Sequence, residues 1–596
     1  MKITFFPFFS LSIGLAPLAG QAATINSAAS GTWASTSSWA GGVQPKTGVG
    51  DTANIGTGHT IIYTTATPTA GLTGPVSADF GVGNSNTINI NGGVLSQLDT
   101  ASWLRIGHGG VGTLNINDGR FHVTDGTADV GNSADRLMVG VETNGNGIIN
   151  VGDNTGAAGS AVMNLRDRVD GTANTGAFNM NLGRTTNTFG TVTINSDGLL
   201  QGDTRTYSGA TVVNNPAIRV GQASSTTQSV LRVNGGGQFN ARGNVEAGAL
   251  AGAQGLIHIT GTSARMDMSH GELTLGYAGT GAMTVENGGV FSRSNTTAMR
   301  ADLYVGRSAS GVGTLTVGNG GTFRRESGSN VGDMRIGFDG RGTMNVETGG
   351  LYRNESGNGD FLGVNTGSQG TINVNGGTYE ITTLAILNIG VNGTGTFRQT
   401  AGSSQASSVR LGVTNGSGTL DLQGGTFTVR TQLYVGGDIV TAPGTGSGLV
   451  TQSGGNMVVN GTFSVGLAPT HTGTYTMTAG TMAITPSVTS AGDGTVGESG
   501  TGVFTISPGA TVTQSTGGQF FVGRNNGSSG TLIVDGTFEK SGSTLPIRVG
   551  NGNSSGTDNT DGTGLLGGTG TITSDVGIRI GSKGTITGGL STNIGN

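Results

Sequence analysis

Apolar and polar residues alternate over short stretches of this chain and then break at glycines. In Gly313-Thr314-Leu315-Thr316-Val317 the apolar residues Leu315 and Val317 stand two apart, so both leave the same face of a strand. Gly320-Gly321 follows, which permits positive φ and a tight corner without Cβ strain. Phe323 then resumes the inward set on a second short strand. Two or three such strands and corners would close one coil.

The same module recurs along the chain. It reads GTLNINDGRF from Gly112 to Phe121, GAMTVENGGVF from Gly281 to Phe291, GTMNVETGGLY from Gly342 to Tyr352 and GTLIVDGTF from Gly530 to Phe538. A shorter motif precedes each copy: a polar or aromatic residue, an aliphatic, then Gly. Arg105-Ile106-Gly107, Tyr304-Val305-Gly306, Arg335-Ile336-Gly337 and Arg579-Ile580-Gly581 are examples. Seventeen such glycines from Gly107 to Gly581 give sixteen intervals with a mean of about 30 residues, inside the 20–50-residue window of solenoids.

A single coil of this kind buries little, whereas stacked coils align Val on Val and Thr or Asn on their equivalents. Backbone hydrogen bonds then run between coils at about 4.8 Å, giving a rod roughly 75–80 Å long. The expected fold is all-β, a parallel β-helix (solenoid) of about 16 coils of roughly 30 residues. It would occupy 86–596, after a signal peptide at 1–22 and an N-terminal cap region at 23–85. A propeller is the competing repeat architecture, but its blades need about 40–50 residues and a Trp-Asp or Gly-aromatic signature.

Composition removes other classes. Gly is 117 of 596, but without a strict every-third spacing, and Pro is only 11, which excludes collagen. Aliphatic residues at fixed spacings exclude a disordered linker. Net charge is −5, and no Lys/Arg cluster offers a footprint for nucleic acid. No second apolar run of about 18 residues could span a membrane. The expected surface is therefore Thr, Ser and Asn, which suits glycans or self-association better than phosphate. Lys2, the apolar stretch from Ile3 to Leu18 and Gly20-Gln21-Ala22 form a secretory leader with a small-x-small cleavage site. With no Cys, stability must come from stacking rather than disulfides.

Trp33 and Trp39, followed by Gly41-Gly42, Pro45 and Gly50-Asp51-Thr52-Ala53-Asn54-Ile55, stand before the first repeats. The Trp pair reads as a cap for the first coil's open edge, with a sugar-binding platform as the alternative. This opening, together with the Val-Gly…Gly-Thr-Leu-x-Val-x-x-Gly-Gly-x-Phe repeats, resembles the autotransporter-associated strand repeats. These occur in type V secretion passengers and in surface proteins with a PEP-CTERM sorting tag. The resemblance covers most of 24–590 and implies a β-helical extracellular passenger. The stretch from Ile586 to Asn596 shows neither a barrel nor a sorting tag. The expectation is that the chain is truncated there or that the open solenoid end docks onto something, including another copy.

Candidate chemistry is sparse. Gly107-His108-Gly109 matches the Gly-His-Gly of polygalacturonase-like hydrolases, but six His in a Gly-rich chain give such triplets by chance, and no adjacent Asp pair supplies two close carboxylates. Arg166, Asp167, Arg168 and Asp170 come nearest to a lyase cluster and read better as a solvated turn. Asp267, His270 and Glu272 could hold a metal only if they shared a face; an exposed loop explains them as well. Asn559-Thr560-Asp561 lies too far after His108. No catalytic, cofactor-binding or metal-binding residue is nominated, and no cofactor is expected. Intervals of 43 and 38 residues between Gly140 and Gly221 mark 153–175 and 201–217 as insertions, the places where a solenoid meets partners. The expected role is a secreted or cell-surface structural or adhesive stalk contacting cells, matrix or glycans. A polysaccharide hydrolase or lyase is the alternative.

Overall fold

The computed structural model describes residues 24–32, 35–44, 52–55, 59–63, 78–80, 86–97, 104–123, 135–157, 159–165, 179–202, 218–241, 243–269, 271–294, 301–327, 331–438, 444–485, 492–515, 518–550 and 562–594. The expected signal peptide at 1–22 lies outside them, as do 166–178 and 203–217, which hold most of the two expected insertions. Every strand-to-strand pairing is parallel, and each strand pairs with its equivalent one coil away. The chain is a β-solenoid, as the alternation and period require.

One coil shows the build. Leu303–Val305 lies on a third face, Val312–Val317 on a first face and Thr322–Arg325 on a second, before the chain returns to the third face at Met334–Ile336. Val312–Val317 sits between Thr280–Glu286 and Arg341–Glu347, with Leu315 opposite Met283 and Met344. Phe323 sits between Phe291 and Tyr352 on the second face, and Val305 between Leu275 and Ile336 on the third. On the third face the register carries the column from Ile106 to Ile580 in sixteen steps. The first-face ladder starts earlier still: Thr24–Asn26 pairs with Thr52–Ile55, which pairs with the strand from Asn86.

Inside runs one continuous apolar core from Ile25 to Ile572. Trp39 is 1% exposed and belongs to it, so its ring is not a surface platform. Rings stack along the second face: Phe291 on Phe323 at 4.4 Å, Phe323 on Tyr352 at 5.8 Å and Tyr352 on Tyr379 at 5.0 Å. Each such pair adds about 0.5–1.5 kcal/mol beyond the area it buries.

Two glycine columns let the coil close. Gly306 takes φ 77°, and a Cβ there would lie 2.1 Å from the Arg341 carbonyl oxygen of the next coil. Gly313, which opens the following strand, would put a Cβ 2.3 Å from the Leu275 carbonyl of the previous one. The Val-Gly and Gly-Thr signatures are thus the two sides of one corner, where backbones from adjacent coils leave no room for a side chain.

Candidate functional site

The three faces present different outward chemistry. On the first face, polar side chains pair up the rod: Asn115 Nδ2 donates to Asn89 Oδ1 at 2.8 Å, Asn150 to Asn115 at 2.9 Å, and Asn373 to Asn345 at 2.9 Å. This is the neutral surface the composition predicts. The third face differs, because there guanidinium groups lie over aromatic rings as well as against carboxylates; the second face carries ion pairs too, Arg324 with Glu355 at 2.7 Å and Arg353 with Glu380 at 2.9 Å.

The outward position of the third face is the first residue of the short motif, so one column carries Tyr304, Arg335 and Phe361 from three successive coils and Phe521, Arg548 and Arg579 from three more, with Asn, Thr, Ser, Met and Glu in others. Partners come from the same column and from the corners. Arg219 Nε donates to Glu246 Oε2 at 3.0 Å, one rung away in register. Arg307 reaches Glu272 at 2.5 Å and lies over the Tyr304 ring at 4.3 Å and the Tyr277 ring at 5.2 Å. Arg335 bonds Asp302 at 2.9 Å and covers Phe338 at 5.2 Å, while Phe338 meets Tyr304 edge-on at 5.4 Å. Further along, Arg410 bonds Asp438 at 2.7 Å. Arg524 lies over Phe521 at 4.4 Å, within 3.2 Å of Asp493 and 3.7 Å of Glu498.

Packing under this stripe shifts its acids. Burial, with Asp302 and Glu272 nearby, pushes the Tyr304 phenol up to about 12. Burial, with Glu498 nearby, does the same to Tyr434. Burial also raises the Glu498 carboxyl above its ordinary range, against the pull of Arg524. Cation–ring contacts of this kind contribute about 0.5–2 kcal/mol, more as they lose water. The groups displayed are guanidinium, carboxylate and ring edge, suited to hydrogen bonding and stacking on polar ligands.

The residues singled out in the sequence are placed as follows. His108 Nε2 lies 2.6 Å from Arg105 Nη1 and 2.8 Å from Glu142 Oε1, at the N-terminal end of the same stripe. Asp267 bonds Arg265 at 2.5 Å and Glu272 bonds Arg307, so these two carboxylates serve different cations; His270 lies outside the described residues. Among the described residues, no three His, Cys, Asp or Glu side chains are grouped to hold a metal. Arg166, Asp167, Arg168, Asp170 and the stretch 559–561 lie outside them. The start of the first insertion is fastened down. The buried Asp197 carboxylate accepts the backbone N–H groups of Asp153 at 3.3 Å, Asn154 at 3.0 Å and Gly156 at 3.2 Å. The Thr155 hydroxyl and N–H hold the Asp153 carboxyl below its usual range.

The stripe itself was missed in the sequence, although half its signal was there. Arg recurs at the first motif position in Arg105, Arg219, Arg335, Arg410, Arg548 and Arg579. Glu272, Asp302 and Asp493 each stand four residues before the motif glycine, but they meet Arg307, Arg335 and Arg524 of the next coil only through stacking.

No family model matches the chain, and no curated protein matches it. Among solved structures, a TibC-catalyzed hyper-glycosylated TibA55-350 fragment matches at 14% identity with a TM-score of 0.21, over 75% of this chain and 97% of that one. A likeness this low in identity and superposition does not bear on what this chain binds.

Proposed function

We propose that the chain is a secreted or cell-surface stalk, structural or adhesive, whose third-face stripe contacts cells, matrix or glycans. One observation carries this reading. The interior is a continuous dry core, and the paired Arg, acid and ring groups run along one outer face over many coils. A rigid rod with an extended recognition face binds through many weak contacts and needs no pocket. The resemblance to autotransporter-associated repeats adds the secreted or surface location.

The test is adhesion of the purified chain to glycan arrays and to cell and matrix preparations, with Arg307→Ala and Arg335→Ala as stripe variants. The reading expects binding that falls about tenfold in the double variant. Binding indifferent to both changes would remove the stripe from the account. The chain is read as non-enzymatic. Clearing of pectin or alginate plates by the wild type, lost in His108→Ala, would replace the stalk with a polysaccharide-degrading enzyme.

A further inference from the structure

The first face changes character towards its C-terminal end. Five successive rungs there, Ser447–Gln452, Thr472–Met477, Thr501–Ile506, Ser529–Val534 and Thr563–Gly567, stack in straight register with no bulge. Their outward residues are Ser, Thr, Leu, Val, Ile and one Gly, with no charge in any rung. The two rungs before them carry the Arg398–Asp421 ion pair, so the neutral area has a sharp edge.

Most hydroxyls within it make no bond to the protein among the described residues. Earlier on this face equally free threonines, Thr314 and Thr316 among them, are interspersed with Asn that bonds to Asn and with His258 that bonds to Glu286. In the neutral area Thr451 donates to Asp421 at 3.1 Å, but the hydroxyls of Thr472, Thr474, Thr476, Thr501, Thr505 and Thr531 bond to nothing in the protein among the described residues. Hydrogen-bonding capacity and exposed methyls therefore point outward together, and Leu449 stands 38% exposed among them. The array is periodic: about 4.8 Å between rungs and about 6.7 Å between alternate residues on a strand.

A ligand for such a face must itself be periodic. The rings and charged groups that the third-face stripe offers a glycan are missing from this area, since Tyr475 and Phe504 point inward and are buried. A second copy is disfavoured by size. The area spans about 20 by 15 Å, on the order of 300 Å², against about 800 Å² per partner in a standard interface.

Ordered water remains. The rung spacing is close to the oxygen repeat along the a axis of hexagonal ice, and Thr offers a hydroxyl to anchor water beside a methyl that the water lattice can enclose. A rigid sheet also has little conformational freedom left to lose on contact. We infer that the first face from Ser447 to Gly567 binds the surface of ice crystals through this threonine array. The inference is independent of the stalk reading, since a non-adhesive chain could carry it.

The test is ice recrystallisation in splat-cooled sucrose with the purified full chain, together with fluorescence-labelled adsorption onto a single ice hemisphere. Wild type should arrest grain growth and coat defined crystal planes. Thr474→Tyr and Thr505→Tyr, which add bulk on the outer surface only, should raise the concentration needed about tenfold. Thr316→Tyr, on the same face outside the neutral area, should change nothing. Circular dichroism and melting confirm that each variant is folded. Ordinary grain growth with wild type would overturn the inference, as would full activity in Thr474→Tyr or a dimer that this variant abolishes.

Discussion

Phe397 fills the space that Ser404 leaves. Ser404 stands in the aromatic column of the second face, between Tyr379 and Phe427 in register, where neighbouring coils carry a ring. Phe397 comes from the first face, where Ile372 and Leu420 flank it. Its ring lies 5.3 Å from Tyr379 and 5.1 Å from Phe427, restoring ring-to-ring contact across the coil.

The exchange is testable by coupling. Phe397→Ala should cost about 3–5 kcal/mol, the usual loss for a buried ring. Ser404→Phe alone should cost about 1–3 kcal/mol by overpacking. The double change Phe397→Ala with Ser404→Phe puts a ring back in the second-face column and should recover most of the loss. Denaturant melts of the four chains measure the coupling, and strict additivity would show that the two side chains do not share a space.

Two interior arginines should respond oppositely. Arg325 and Asp360 are fully buried and form an ion pair, and Asp360 also accepts from Tyr352 at 2.8 Å, Tyr379 at 2.7 Å and Asn354 at 3.0 Å. Arg293, one rung away, is equally buried but among the described residues bonds only the Met268 carbonyl at 3.2 Å, with no partner there for its Nε and Nη2. Burial and the charge of Arg325 lower it to about 10. Arg325→Met strands a buried carboxylate and should cost about 3–5 kcal/mol, whereas Arg293→Met removes an unmatched charge and should raise the melting temperature.

Lys540 predicts a pH effect with a definite sign. Its ammonium donates to the Gly518 carbonyl at 2.8 Å, and burial lowers it from 10.5 to about 8, against the pull of Asp493 and Asp575. Between these values the unfolded chain holds the proton more often than the folded one, so stability rises as pH rises. Below pH 8 the full burden of a buried charge is present. The buried phenols of Tyr352 and Tyr379 are raised by burial and by Asp360, and oppose this trend only above about pH 10. Melting temperatures from pH 7 to 10 should climb in wild type and flatten in Lys540→Met. Equal slopes in the two chains would remove Lys540 as the cause.

The closing corner gives a backbone prediction. Gly306→Ala meets both left-handed φ and the Arg341 carbonyl. It should cost about 1–3 kcal/mol for the conformation alone, and more for the clash. Hydrogen exchange should show the loss first in the coils on either side.

Much of this architecture can be read from residue order. Alternation in Leu315 and Val317 sets the inward side, and the Val305-Gly306 and Gly313-Thr314 pairs mark the corner, because period two and missing side chains are local properties. The Phe397–Ser404 exchange could not be read, since it depends on two faces meeting across a core. The third-face stripe was half legible. Its arginines recur in the motif, but Glu272, Asp302 and Asp438 find them only after stacking.

Distances up the rod test the stacking most directly, and a chain without Cys is ready for paired labels. Thr314, Thr419 and Thr474 stand in one first-face column, with Thr419 four rungs and Thr474 six rungs from Thr314. Spin labels at 314 and 419 should lie about 19 Å apart, and at 314 and 474 about 29 Å apart, each with a narrow distribution. A separation that stops growing with rung number, or a broad spread at both pairs, would contradict a solenoid of coils stacked in register.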